Sequence, residues 1–390
     1  MEFYKKLLLS SVLITIALIG VIFLFAMNFS PIITGTVSID NNTEGGIGEA
    51  IANASVGDTI LLSSGNYIGM NNTGITINKS VSLKGNGPTD EVIIDGQNLT
   101  RIFEIDDNLS VKFTNITFIN AKATGNGGAI NDPNNNTKME FINCTFINNE
   151  VTSTKSADGF GGAIYSSSGD VSLVNCTFID ISSSGNGGAI YNSGVGIGLV
   201  DCTFTNIVSG GSGGAIYNGG DDIVGYDLGV LQKLFNLILN NGTGVGLVSC
   251  TFNNVSAADD GGAIYNGGNG VGLVDCAFDN IVSGSSGGAI FNNGSDMGLV
   301  SSIFTNVSAT DDGGAIFNIG NDMGLVDCTF TDIVSGGSGG AIFNNGSDMG
   351  LVSSIFTNIV AADGEAISGG VNVSGVDSTF INITSTNNRG

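Results

Sequence analysis

The sequence predicts an all-β protein: a parallel β-helix, a solenoid with about 26 residues per coil. Three observations predict it. "GGAI" begins at Gly127, Gly161, Gly187, Gly213, Gly261, Gly287, Gly313 and Gly339, mostly 26 residues apart, with a degenerate "GEAI" at Gly364. A Phe-x-Asn/Asp motif keeps the same time, at Phe118, Phe146, Phe178, Phe204, Phe252, Phe278, Phe304, Phe330, Phe356 and Phe380. The stretch before each Phe alternates: in "LVDCTF" (Leu199–Phe204), Val200, Cys202 and Phe204 fall on one face, Asp201 and Thr203 on the other. Period two means strand. Glycine at this density would cost a helix about 1 kcal/mol per residue, and the L-x-x-L-x-L-x-x-N frame of leucine-rich repeats is missing. A chain wound about one axis places the same residue above itself on every lap, at a strand spacing of about 4.8 Å.

At the N-terminus, Lys5 and Lys6 precede an uncharged run from Leu7 to Met27. As a helix it would rise about 30 Å, enough to cross a bilayer. "LFAMNFS" offers no clean small-x-small cleavage site, which favours an uncleaved anchor over a cleaved signal. Either exports the chain after Phe29 and leaves the lysines inside. Residues 1–29 are therefore expected to be a transmembrane anchor or signal segment, and 30–46 a linker. The region 47–120 should hold an N-terminal cap and irregular first coils. Its cap is a short amphipathic helix in which Ile47, Ala50, Ile51 and Ala54 cover the open end of the cylinder. Tandem coils fill 121–390, interrupted by a helical insertion at 221–244 whose Leu228, Leu231, Leu234, Phe235 and Ile238 form an apolar face. No cap is legible at the C-terminal end.

Within the coils, files of Val, Cys and Phe are expected to form the interior. The Asn after each Phe should sit at a bend and bond its neighbours up the file, with Asp180 and Asp332 interrupting that ladder. Cys144, Cys176, Cys202, Cys250, Cys276 and Cys328 share the slot two before Phe, with Ser302, Ser354 and Ser378 replacing them elsewhere. They lack metal spacing, and parallel Cβ vectors in register are poorly aimed for disulfides; small, buried, reduced residues are expected. After "GGAI" stands Tyr165, Tyr191, Tyr217, Tyr265, Phe291, Phe317 or Phe343, but Asn131 and Ser368 take the same place at the ends. That variation points to a column at least partly outside, which needs a bend between the glycines and the strand.

Asp and Glu outnumber Lys and Arg by 35 to 11, for a net charge of −24, and His is absent. Between Ser156 and Asn388 the only basic residue is Lys233, so nucleic acid is not an expected partner. A glycosidase needs two carboxylates at fixed separation. Asp259–Asp260, Asp311–Asp312 and the column Asp296, Asp322, Asp348 recur with the repeat, whereas an active site is a single departure from regularity. No catalytic residue and no cofactor are expected. Stacked aspartates could supply oxygen ligands to Ca²⁺, which makes Asp296, Asp322 and Asp348 the metal candidates; a solvated acidic face is the favoured reading. Of many N-x-Ser/Thr triplets, Asn293 and Asn345, in "NNGSD" turns, are the best placed for glycosylation, and Asn254, Asn306 and Asn382 fall in the ladder.

"GGAI" with a following Phe and Asn resembles the repeats of chlamydial polymorphic outer membrane proteins. The layout "GDTILLSSGNY", "ITINKSVSLKGNG", "IIDGQ" and "NITFINAKATGNGGAI" behind a membrane segment is similar to adhesin-like proteins of methanogenic archaea. The resemblance runs from about Ile47 to the end. It implies a right-handed, pectin-lyase-like β-helix on the cell surface. Two departures stand out: the spacing here is mostly Phe-x-Asn rather than Phe-x-x-Asn, and no membrane β-barrel follows, so autotransporter export is not expected. The reading is a surface-displayed, non-catalytic adhesin-like protein, anchored by its N-terminal segment, that meets cell-surface glycans or proteins through the aromatic column and the neighbouring turns. A polysaccharide lyase or hydrolase and a purely structural envelope component are the alternatives. The sequence sets no oligomeric state.

Overall fold

Short β segments separated by left-handed residues build each coil. In one representative coil, strands Ile290–Asn292, Met297–Val300 and Ile303–Ala309 follow one another. Each lies parallel to its counterpart one coil on, with Phe291 opposite Phe317, Leu299 opposite Leu325 and Phe304 opposite Phe330. The first two kinds of strand join a 22-stranded sheet; the Phe-bearing strands belong to a 14-stranded one. This computed structural model describes residues 35–386 apart from 135, 154–157, 168–169, 195 and 220–244. The expected membrane or signal segment 1–29 and the expected helical insertion 221–244 lie outside the described residues. Among those described, no helix is long and apolar enough to cross a membrane.

The expected cap is present: a helix spans Gly46–Asn53 and buries Ile47, Ala50 and Ile51. The stretch expected as linker, 30–46, instead contributes a strand, Thr36–Ile39, that pairs in register with Thr59–Leu62. Alternation in "TVSI" lets Ile39 reach the core while Thr36 stays exposed. The first coils are uneven, with Leu83 opposite Phe113, Phe113 opposite Phe141 and Phe141 opposite Leu173. From Leu247 the step to Leu273, Leu299, Leu325 and Leu351 is constant. The last coil, Ile367–Val376 and Thr379–Ser385, leaves Val376, Phe380 and Ile381 about half exposed.

One interior file differs from expectation. Leu199, not Val200, points inward; Val200 is only half-buried while Leu199, Cys202 and Phe204 are fully buried. Asp201 causes this. Its φ of 53° turns the chain between Gly196–Val200 and Thr203–Ser209, so strict alternation does not run through it. Ser249, Asp275, Ser301 and Asp327 repeat the turn with the same left-handed φ. Beyond it the Phe file runs as expected, with neighbouring rings from Phe146 to Phe330 stacked at 4.7–4.9 Å.

The cysteines are buried and free. Each keeps its thiol turned to a carbonyl two residues back, as Cys202 Sγ does to Val200 O at 3.4 Å. Ser302 Oγ donates to Val300 O at 3.2 Å in the same way. The slot thus asks for a small donor, which is why Ser and Cys interchange there. Burial pushes the Cys328 thiol up to about 11.

The Asn ladder outside the Phe strands also forms. Asn148 Nδ2 donates to Asn120 Oδ1 at 2.7 Å, Asn254 to Asn206 at 2.8 Å, and Asn382 to Asn358 at 2.8 Å. Asp180 accepts from Asn206, and Asp332 from Asn358, both at 2.8 Å. A carboxylate has no donor to pass to the coil before, so each Asp leaves one rung unmade while the donations on its other side keep the same direction.

Candidate binding surface

The "GGAI" glycines position the outward face by two different means. The first, such as Gly313 at φ 68°, takes a left-handed turn. The second lies against the next coil: a Cβ on Gly314 would sit 2.0 Å from Gly340 O. Ala and Ile then both point inward, because two successive N–H groups, of Ala289 and Ile290, donate to the single carbonyl of Ala315 at 2.8 and 2.9 Å. This is the bend that the sequence required. It puts every Ile from Ile130 to Ile342 at full burial and the following aromatic outside.

Tyr165, Tyr191, Tyr217, Tyr265, Phe317 and Phe343 are half-buried on the outer face of the larger sheet, and Phe291 is 9% exposed. The structure brings all seven into one file. Successive rings lie 4.7–5.2 Å apart with planes within 10° of parallel, and Phe160 stacks on Tyr191 at the head. Between its two ends, each ring face is therefore covered by its neighbours, and what the file offers outward there is ring edges and Tyr hydroxyls. Burial raises Tyr191 to about 12 and also pushes up Tyr165, Tyr217 and Tyr265, so the hydroxyls keep their protons.

Immediately inside this file runs a polar one that sequence reasoning missed. Asn192 Nδ2 donates to Asn218 Oδ1 at 2.8 Å, Asn218 to Asn266 at 3.0 Å, Asn266 to Asn292 at 2.8 Å, and Asn292 to Asn318 and Asn318 to Asn344 at 2.7 Å. All six are fully buried. A second donation goes to the carbonyl two residues on, from Asn318 to Gly320 O at 2.6 Å and from Asn266 to Gly268 O. Asp132 and Ser166 occupy the head of the file, 3.2 Å apart. Burial raises the Asp132 carboxyl from 3.8 to about 6. The signal was present: after each aromatic from Tyr191 to Phe343 the residue is always Asn.

Next along the coil come exposed turns, replaced in the Phe343 coil by one irregular strand, Ile342–Val352. Asn293 and Asn345 are exposed, as are Asp322 and Asp348, while Asp296 is half-buried. The three aspartates have left-handed φ of 59–64°, and Asn372 Nδ2 donates to Asp348 Oδ1 at 3.0 Å. Among the described residues no three Asp, Glu, Cys or His side chains cluster as metal ligands. Of the paired aspartates, Asp260 and Asp312 accept the backbone N–H of Ser286 and Ser338 at 3.0 and 2.6 Å, tying coil to coil. A shallow depression lies at the cap, between Asn41–Gly45 and Ile68–Asn72, with Glu44 its one carboxylate.

Four stretches, residues 143–167, 175–193, 201–219 and 327–345, match the family model of the Chlamydia polymorphic membrane protein repeat. The coils are similar to that repeat. Each matched segment carries a left-handed Asn or Asp turn, the Phe strand and the "GGAI" corner. No curated protein matches the chain. Among solved structures, a PL6 family polysaccharide lyase from Pseudopedobacter saltans is 12% identical, with 89% of this chain and 93% of that one covered and a TM-score of 0.51. A mannuronic acid specific family 6 lyase from human gut microbiota is 11% identical over 89% and 82%, with a TM-score of 0.42. Tailspike protein 3 of bacteriophage CBA120 is 11% identical over 83% and 53%, with a TM-score of 0.38. At such identity the first likeness is one of fold, the pectin-lyase-like β-helix.

Proposed function

We propose that this protein is a non-catalytic β-helix displayed at the cell surface, where it attaches to glycans or proteins through its outward aromatic file and the turns beside it. Repetition carries this reading: seven successive coils present the same ring edge in one line. A weak contact repeated at a fixed spacing gains by avidity and needs no single strong pocket. Because the ring faces between the ends are taken, the partner meets edges and hydroxyls there. Edges carry the positive side of the ring quadrupole, and hydroxyls both donate and accept. Both suit an oxygen-rich partner such as a saccharide. Likeness to the chlamydial membrane-protein repeat supports surface placement, with residues 1–29 as the tether.

The lyase likeness of the fold favours one second reading, an enzyme on polysaccharides. Against it, His is absent, Lys233 is the only basic residue between Ser156 and Asn388, and the carboxylates recur with the repeat. The test is a glycan and cell-binding array with the full chain in mild detergent, beside a Tyr191→Ser/Tyr217→Ser/Tyr265→Ser variant. The variant should lose at least about tenfold in apparent affinity through avidity. Equal binding by both sinks the proposal. Sugar cleavage in a product assay would favour the enzyme, and neither binding nor cleavage a structural coat component.

A further inference from the structure

The N-x-Ser/Thr triplets of this chain divide by what their amides already do. Asn143 Nδ2 donates to Asn115 Oδ1 at 2.7 Å and Asn175 to Asn143 at 3.0 Å. Asn254 and Asn382 donate along the outer ladder. All four also hold left-handed φ, so modifying them would break bonds between coils. Asn306 is exposed and makes no such bond among the described residues but holds the same left-handed φ, 52°, and Asn53, Asn71 and Asn98 lie outside the tandem coils; within the coils Asn293 and Asn345 differ. Both are exposed, Asn293 just past the strand Ile290–Asn292 and Asn345 at the register shift within the longer strand Ile342–Val352, and their side chains make no hydrogen bond among the described residues. Only the backbone is held, Asn293 N–H donating to Asn266 O at 2.9 Å. Both stand in one file two coils apart, and the rung between them carries Ile319, which cannot accept a glycan.

We infer that Asn293 and Asn345 are N-glycan acceptors. The donor is a lipid-linked oligosaccharide. Nδ2 attacks the anomeric carbon, an N–C bond forms, the C–O bond to the lipid phosphate breaks, and the phosphate leaves with the electron pair. One Nδ2 proton is released and nothing is oxidised or reduced. The third residue of each triplet grades the two positions. Ser295 Oγ makes no hydrogen bond among the described residues, whereas Ser347 Oγ donates to Asn321 Oδ1 at 2.9 Å. Asn293 is therefore the better acceptor. Sugars there would stand two residues beyond Phe291 and Phe343, covering the Phe end of the file and leaving Tyr165 to Tyr265 as its open stretch. The inference rests on the surface placement proposed above.

The test is peptide mass spectrometry of every triplet in the full chain isolated from its native cells, with protease shaving of intact cells in parallel. Glycan mass is expected on Asn293 and Asn345, with occupancy at Asn293 equal or higher. Asn293→Gln and Asn345→Gln should each remove one increment of gel mobility. Bare Asn293 and Asn345 in a protein that shaving finds outside overturn this inference alone. Glycan confined to Asn254, Asn382 or other triplets also overturns it. A bare protein that shaving cannot reach overturns both this inference and the surface placement.

Discussion

Asp132→Asn should stabilise the protein near neutral pH and do nothing in acid. Asp132 stands in register with Ser166 and, one coil further, Asn192, at the head of the buried Asn file. It is fully buried. Its carboxylate receives a bond from Ser166 Oγ at 3.2 Å, a long one from Asn134 N–H at 3.4 Å and one from the Thr137 side chain, which together do not offset the loss of water. Burial lifts it from 3.8 to about 6. Since the folded value lies above the unfolded one, the associated stability is fully present below 3.8 and lost as pH rises through about 6. Two units at about 1.4 kcal/mol each put the loss at about 3 kcal/mol by neutrality. An amide of the same shape keeps the acceptor oxygen, adds a donor and removes the charge. Urea denaturation of both proteins at about pH 4 and about pH 7.5 measures the difference through the midpoint at constant m. Hydrogen exchange at the first coils guards against partial unfolding of a repeat array. A gain of about 2–3 kcal/mol at the higher pH that shrinks to a few tenths at the lower is expected. An equal difference at both, or a loss near neutrality, would refute the argument and point to an ionised carboxylate with work to do.

Other substitutions separate the files. Asn266→Ala strands the Asn218 amide, the Asn292 carbonyl and the Gly268 carbonyl in the core, and should cost about 3–5 kcal/mol. Asn254→Ala loses one exposed rung and a residue tolerant of φ 53°, for about 1–2 kcal/mol, both read by urea midpoints. Gly314→Ala places a methyl 2.0 Å from Gly340 O and should prevent native coil stacking at that level, whereas at Gly324 a Cβ meets nothing within 4 Å and Ala should be neutral or gain about 0.5–1 kcal/mol. Cys250→Ser should shift the midpoint by less than about 1 kcal/mol, because Ser302 and Ser354 fill the same slot, and a thiol reagent should label the native cysteines only after unfolding.

How much of this was legible follows from which residues leave a trace in the pattern. The period, the Phe and Cys files, the outer Asn ladder and the capping helix all depend on residue types that recur at one spacing, so the sequence displays them directly. Val200 was misplaced because alternation assumes extended backbone throughout, and a left-handed Asp at 201 looks like any polar residue on the outer face. The buried Asn file was missed for a related reason. An Asn beside an aromatic reads as turn chemistry, and only its constancy, set against the variable aromatic before it, betrays an inward amide. Ring stacking lay beyond the sequence altogether. The composition showed aromatics at one position, but not that each would cover the next, leaving edges rather than faces for a partner.

Copies two coils apart are more alike than adjacent ones, and the acidic positions alternate with the same two-coil period. In the file before "GGAI" the residues read Asp260, Ser286, Asp312, Ser338, Asp363, and in the file before the Cys slot they read Asp201, Ser249, Asp275, Ser301, Asp327, Ser353, Asp377. Aspartates stacked on every coil would stand about 4.8 Å apart and repel by about 0.9 kcal/mol per pair even in water. Placing Ser between them doubles the distance, and a Debye length of about 8 Å at physiological salt removes most of what is left. The intervening Ser also contributes directly, since Ser286 and Ser338 give their N–H to the carboxylate of the preceding coil. A chain of net charge −24 can in this way keep extending a solenoid without concentrating its own repulsion along an edge. Only Asp296, Asp322 and Asp348 break the alternation, and they do so on the same stretches of the coil that carry the exposed Asn293 and Asn345.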